Sequence, residues 1–331
     1  MTIIDVVYSE DSQRHLKLIK TLDNRKVVEE IDAAEPYFMA LPNNLEQAKK
    51  DILGLTYEFK ERKTNVIRVE QVTKNFQNKE TEFLKIVVNF PREVPVIRET
   101  IRELSSIIEV YEADIPYVFR SILDNKMELY KDFKPKILAF DIETTSDGSF
   151  PDPLTDKIVS ISYYSKDFEK VTITRDFKKK HKYINSVSSE KELLEDFRKT
   201  INKFQPDILT GYNSDIFDLW FIKERATKNK VKLKLDPLNG EPIYTRGARN
   251  AKPVKINGIT HLDTYIFIRN ALAPRLKTNS LSLDNVAEEM LGQKKLELGV
   301  LPHEAWLDDS DENMNRFSEY NLLDSKLTYL L

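Results

Sequence analysis

Two α/β domains are what this 331-residue chain predicts, and three observations carry that expectation. The length suffices for two separate hydrophobic cores. In both halves, short apolar runs of strand length alternate with amphipathic stretches of helix length. Between the halves lies a charged, proline-containing connector, Lys131-Asp132-Phe133-Lys134-Pro135-Lys136, followed at once by the apolar run Ile137-Leu138-Ala139-Phe140. The boundary is placed there, giving an N-terminal mixed α/β domain over 1–130 and a second domain over 131–331.

In the first domain the expected strands are Ile3–Tyr8, His15–Ile19, Pro36–Leu41, Val66–Val72 and Phe83–Phe90. The expected helices are Leu45–Leu53, Val96–Leu104 and Pro116–Asn125, with polar turns between them. The second domain opens with strands Ile137–Glu143, Ile158–Tyr164 and Val171–Thr174. A helix over Glu190–Phe204 follows, its start marked by Ser189 and Glu192 as a capping box. Next come a strand at Ile208–Thr210 and a helix from about Asp215 to Lys228, capped by Ser214 or Asp215. Residues Val231–His261 alternate and carry the turn Asp236-Pro237-Leu238-Asn239-Gly240, which reads as a β-hairpin insertion. Helices over about Leu283–Leu291, before Gly292, and about Asp311–Leu331 complete the pattern. The order β-β-β-α-β-α, an insertion, then α-α suits a ribonuclease-H-like core, a mixed sheet with flanking helices.

Composition narrows the chemistry. With 40% hydrophobic and 32% charged residues the chain reads as soluble and globular. No apolar run approaches the ~20 residues that span a bilayer. The start, Met1-Thr2-Ile3-Ile4-Asp5, lacks a basic-then-apolar signal pattern, so a cytoplasmic location without membrane contact is expected. Cysteine is absent, which excludes disulfides and cysteine-bound zinc, and only four histidines are present. Any metal therefore sits on oxygen ligands, which points to Mg²⁺ or Mn²⁺. The net charge of −3 neither favours nor opposes nucleic acid, because carboxylates gathered around cations are neutralised by them.

Three acidic clusters carry the functional signal: Asp141-Ile142-Glu143, Asn213 through Phe217-Asp218, and Tyr320 through Asp324. Asp141 and Glu143 are two apart at the end of a strand and so share a face. Asp218 stands near a helix start, where acids are also favoured by the helix dipole alone. Tyr320 and Asp324 are four apart on one helical face. Each cluster alone is weak. Together they supply four carboxylates and a phenol, a set that suits a two-metal site for cutting phosphodiester bonds.

This ordered set resembles the DEDD exonucleases of the tyrosine subclass. Lys136–Thr144 (KILAFDIET), Gly211–Asp218 (GYNSDIFD), His261–Arg269 (HLDTYIFIR) and Tyr320–Asp324 (YNLLD) are similar to the exonuclease domain of archaeal-type family B DNA polymerases. Phe90–Arg98 (FPREVPVIR) and Tyr111–Arg120 (YEADIPYVFR) extend the resemblance into the N-terminal half. The resemblance implies a proofreading 3′→5′ exonuclease that removes 3′-terminal nucleotides as monophosphates. It implies two divalent ions, Mg²⁺ or Mn²⁺, ~4 Å apart. Asp141, Glu143 and Asp324 are then expected on the ion that activates water, Asp141 and Asp218 on the ion at the leaving oxygen, and Tyr320 beside the nucleophilic water. Thr144, Asn213 and Phe217 are the candidates for contacting the terminal nucleotides, Phe217 by stacking.

The resemblance further implies a template-uracil pocket at Tyr8, Pro36, Pro91, Val94, Tyr117 and Arg120, where a tight apolar wall admits uracil and rejects the thymine methyl. Expected partners are a single-stranded DNA 3′ end, primer–template DNA, the remaining polymerase domains on the same or a separate chain, and a sliding clamp. The location implied is the nucleoid. Palm, fingers and thumb are absent, so the chain is expected to be part of a longer or split polymerase that does not polymerise by itself. Basic clusters at Lys178–Lys182, Lys223–Lys234 and Arg246–Lys255 read either as a strand-tracking groove or as solvated surface. Two alternatives stay open: a DNA-holding or uracil-sensing module with an idle nuclease, and a stand-alone RNA exonuclease of the same superfamily.

Overall fold

The computed structural model describes residues 2–10, 14–22, 25–59, 62–129, 133–146, 150–244, 253–293, 298–299 and 302–331. Lys131 and Asp132 of the connector and residues 246–252 of the third basic cluster lie outside the described residues. The chain divides into two units: Val6–Lys17 with Glu30–Glu128, and Met1–Asp5, Leu18–Glu29 and Leu129–Leu331.

Three N-terminal strands, β1 (Thr2–Glu10), β2 (Arg14–Leu22) and β3 (Arg25–Asp32), form one sheet. Strand β3 escapes the sequence pattern because its residues are almost all half-buried or exposed, so no apolar face marks it. Then come β4 (Tyr37–Pro42), α1 (Leu45–Gly54), the hairpin β5 (Tyr57–Phe59) and β6 (Arg62–Thr64), β7 (Arg68–Phe76), β8 (Lys79–Val87), α2 (Val94–Arg102), β9 (Ile107–Tyr111) and α3 (Tyr117–Asp124). Strands β7-β8-β4-β9 make a four-stranded sheet. Gln77 and Asn78 both take positive φ, the two-residue turn that suits the twist of a hairpin, and this sets β8 earlier than the expected Phe83–Phe90. Alternate residues Phe38, Ala40, Leu84 and Ile86 face Ala48 and Ile52 of α1 and Ile97 and Ile101 of α2 to form this unit's core.

The larger unit holds β10 (Ile137–Thr144), β11 (Ile158–Ser165), β12 (Phe168–Ile173), β13 (Ile184–Ser186), α4 (Glu190–Phe204), β14 (Ile208–Gly211), α5 (Asp218–Lys228), β15 (Ile243–Tyr244), β16 (Val254–Lys255), β17 (Thr260–Asp263), α6 (Thr264–Phe267), α7 (Leu283–Leu291), α8 (Pro302–Leu307) and α9 (Asp311–Leu330). The sheet order is β13-β12-β11-β10-β14-β17. Strand β10 is antiparallel to β11 and parallel to β14, which is parallel to β17. This is the ribonuclease-H-like arrangement with one added edge strand. Leu138, Phe140 and Ile142 face Leu193, Phe197 and Ile201 of α4 and Leu219 and Ile222 of α5. On the opposite face Val159 and Ile173 pack on Ala305 of α8 and Met314 and Phe317 of α9. The sheet is thus covered on both sides, so its central strands read as continuous apolar runs.

Several local expectations are corrected. Ser189 does cap α4, accepting the Glu192 N–H at 3.3 Å, but Glu192 reaches back to the N–H of Ser188 rather than Ser189. The Val231–His261 hairpin shrinks to β15 and β16. Val231, Leu233 and Leu235 do alternate into the core, but the carbonyls of Lys232 and Lys234 are taken by side chains of α4, Arg198 and Asn202, in place of a strand partner. The end of that segment is β17, a parallel edge strand. Helix α5 begins at Asp218, not Asp215, and Ser214 and Asp215 are not its caps.

In the same unit, Lys26 forms a buried ion pair with Asp207, whose other oxygen accepts the Lys136 N–H at 2.8 Å. A buried pair of this kind is worth little as net stability, yet breaking it strands a charge. Among the described residues no helix is long and apolar enough to cross a membrane.

Candidate active site

Strand β10 turns its odd-numbered residues away from the α4/α5 core, and that alternation delivers Asp141 and Glu143 to the face covered by α9. The α9 interface is made of small polar groups. The Ser160 hydroxyl donates to Asn321 Oδ1 at 2.7 Å, and the Ser162 hydroxyl donates to the Asn321 carbonyl at 2.7 Å and lies 2.5 Å from Ser325 Oγ. Asn321 then donates from Nδ2 to Asp141 Oδ2 at 2.8 Å. Helix and sheet are therefore sewn together at the residue that aims the first carboxylate.

The same helix brings Asp324 alongside. Oxygens of Asp141, Glu143 and Asp324 all lie within 4.8 Å of one another. Three carboxylates this close repel unless a cation sits among them, and an all-oxygen set fits a hard divalent ion such as Mg²⁺ or Mn²⁺. Asp218 is not part of this trio but faces it from the start of α5. It is buried, accepts the Ile142 N–H, and its carboxyl is pushed up to about 7 by burial, with the nearby charges of Asp263 and Asp324 adding to the shift. Such a group is neutral or charged near pH 7 according to what is bound beside it. Tyr320 stands half-buried one turn before Asp324 on the same helix.

The remaining candidates neighbour these carboxylates in the sequence. Strand β10 breaks register between Glu143 and Thr144, a bulge that re-aims the buried Thr144 at the strand end. Asn213 adopts a left-handed φ of 66° at the head of the turn before α5. Phe217 packs on Phe221 at 5.4 Å and meets Phe150 edge-on at 5.8 Å. Phe150 is 75% exposed, an aromatic shelf that sequence reasoning missed because nothing in the neighbouring sequence marks it. Asn321 was also missed, although it lies inside the Tyr320–Asp324 motif, because its role exists only through contacts with β10 and β11.

In the smaller unit, Pro36, Pro91, Val94, Tyr117 and Arg120 line one cavity of about 170 Å³. Tyr8 is not in that lining but meets the Tyr117 ring edge-on at 5.0 Å. The Tyr117 hydroxyl donates to the Ala34 carbonyl. Arg120 is held by Glu112 at 2.7 Å and by the Tyr37 hydroxyl at 3.1 Å, so it serves as a fixed wall.

Residues 128–286 match the family described as DNA polymerase family B, exonuclease domain. That match covers just under half of the chain. Over 99% of its length the chain is also 31% identical to a DNA polymerase of Thermococcus gorgonarius and 32% identical to one of Desulfurococcus sp.. It spans 42% of each of those proteins, so less than half their length. A solved family B DNA polymerase from the hyperthermophilic archaeon Pyrobaculum calidifontis superposes with a TM-score of 0.75 at 25% identity, covering 99% of this chain and 44% of that one.

In the larger unit, Asn321→Ala is expected to weaken divalent-cation binding at the carboxylate trio about 10–100-fold, as loss of a residue that orients a ligand typically does. The chain should remain folded by circular dichroism. An unchanged Mn²⁺ affinity by calorimetric titration would show that Asp141 needs no such support.

Proposed function

We propose that this chain is the 3′→5′ proofreading exonuclease portion of a family B DNA polymerase, hydrolysing 3′-terminal nucleotides to monophosphates. The observation that carries the reading is the convergence of Asp141, Glu143 and Asp324 within 4.8 Å, with the buried Asp218 facing them. Asp141, Glu143 and Asp324 would hold one divalent ion, and Asp141 with Asp218 a second. When bound, such a pair supplies acidification of a water and neutralisation of charge on the scissile phosphate. Asn321 keeps the Asp141 carboxylate aimed. Tyr320 orients the attacking water from its hydroxyl, and Thr144 and Asn213 border the terminal nucleotide. Phe217, extended by Phe150, offers a stacking surface for a frayed base. Water adds to phosphorus as the bond to the 3′-oxygen breaks, releasing a nucleoside 5′-monophosphate. The substrate is a single-stranded 3′ end drawn from primer–template DNA, and the remaining polymerase domains, on the same or another chain, deliver it.

The test is digestion of a 5′-labelled single-stranded DNA with Mg²⁺, with EDTA and the Asp141→Ala/Glu143→Ala variant as controls. A ladder shortening from the 3′ end and lost in both controls supports the reading. No cleavage by the folded wild-type chain would favour a DNA-holding module instead.

A second reading is favoured by the cavity of the smaller unit. Five of its six expected residues line one space, which fits a pocket for template uracil. An added methyl in a tight pocket costs about 1–3 kcal/mol, so uracil-containing oligonucleotide should bind roughly 10-fold or more tighter than its thymine counterpart. Fluorescence anisotropy with the two labelled strands measures this, and equal affinities would remove the pocket from the account.

A further inference from the structure

The turn between β14 and α5 carries Asn213 and Phe217 and ends at Asp218, yet its shape is not set by its own residues. Edge strand β17 presents His261 and Asp263 on one face, two residues apart, while Leu262 between them is exposed. Asp263 accepts the Asn213 N–H at 3.1 Å on one oxygen and the Asp215 N–H at 2.9 Å on the other. His261 lies with Nδ1 3.1 Å from Asp215 Oδ1 and Nε2 3.0 Å from Ser214 Oγ. The Ser214 hydroxyl and Nε2 share a hydrogen bond, while the Nδ1–Oδ1 approach is a close polar contact without hydrogen-bond geometry. Gly211 lets the turn fold this tightly, since a Cβ there would stand 2.6 Å from Ser214 Cβ.

Serine, histidine and aspartate in this order have the connectivity of a nucleophilic triad. Ser214 is fully buried, however, so no scissile phosphate reaches it. The geometry points to a different role: His261 and Asp263 are positioning residues for the nuclease, which through Asp215, Ser214 and two backbone amides set the turn that presents Asn213, Phe217 and Asp218. This inference rests on the nuclease reading above. It adds residues that the acidic clusters do not contain and assigns β17 a part in the reaction.

The experiment compares kcat and KM on a 5′-labelled single-stranded DNA for wild type, His261→Ala, Asp215→Ala, their double variant and His261→Asn. Each is assayed with Mg²⁺ at a temperature where circular dichroism shows it folded, and Asp141→Ala/Glu143→Ala is the inactive control. Both single alanine variants should lose about 10-fold in kcat/KM, and the double variant no more than either, because the two side chains act as one unit. His261→Asn keeps a polar partner beside Ser214 and Asp215 and should return to within about 3-fold of wild type, which a purely structural loss would not do. If His261→Ala does not fold, Asp215→Ala decides alone. Wild-type kinetics in the folded alanine variants overturn the inference and leave the nuclease reading standing. A wild-type chain that does not cleave overturns both.

Discussion

Replacing Asp141 and Glu143 together by alanine is expected to lower nuclease activity at least ~10³-fold while the chain stays folded. Two of the three carboxylates that lie within 4.8 Å of one another disappear, and a cation cannot be held by Asp324 alone. Charge stabilisation by bound metal contributes several kcal/mol to such a transition state, and about 4 kcal/mol is already ~10³-fold in rate. The fold does not depend on these groups. Both side chains sit half-buried at a strand end, outside the core formed by Leu138, Phe140 and Ile142, so no cavity opens. Without metal the change removes like-charge repulsion, so the variant should melt no lower than wild type in EDTA. With Mg²⁺ the two should separate, since a ligand at 100 times its Kd adds about 2.7 kcal/mol to the form that binds it. Digestion assays and melting curves with and without Mg²⁺ read both halves. Near-wild-type cleavage by the variant would sink the site assignment.

The parts of this molecule that were legible in the sequence are those whose signals are local. Helix α4 announces itself through Ser189, and α7 through Gly292, which takes φ of 66° after its last turn. Strand β10 is apolar on one face and acidic at its end, which exposes both the core and the site. What the sequence hid is set from a distance. Helix α5 starts three residues late because Asp263, some fifty positions away, holds the amides of Asn213 and Asp215 in a turn in which Asn213 takes φ of 66°. Strand β17 has four residues and pairs with one neighbour, β14, so its apolar signal merges with the segment before it. Asn321 reads as an ordinary helix residue until Ser160, Ser162 and Asp141 converge on it. The acidic clusters were legible because such an ordered conjunction of acids is rare; the residues that hold them were not, because hydrogen-bonding residues are common and only folding selects among them.

Asp218→Asn is expected to make the metal-free chain more stable at neutral pH and nearly inactive. The Asp218 carboxyl is held near 7, against an ordinary value of 3.8, by burial first and then by the charges of Asp263 and Asp324. A carboxyl raised in the folded state keeps its proton where the unfolded chain has lost it. Wild-type stability should therefore fall as pH rises from about 4 to about 7, and the full cost, on the order of 4 kcal/mol, is present above that window. Asparagine cannot ionise and still offers an oxygen to the Ile142 N–H, so the variant escapes this loss. For a unit of this size that difference corresponds to roughly 10 °C in Tm at pH 8 in EDTA, shrinking towards zero near pH 4. Mg²⁺ should narrow the gap from the wild-type side, because a cation favours the charged form of Asp218 and binds the amide poorly. Activity should move the opposite way, falling at least ~10²-fold, because the buried charge that weakens the free fold is the one the reaction uses. Melting curves of both proteins from pH 4 to pH 8 in EDTA, repeated with Mg²⁺, decide the matter. Parallel profiles for the two would mean that Asp218 is not the strained acid, and that the second cation must find its oxygens elsewhere.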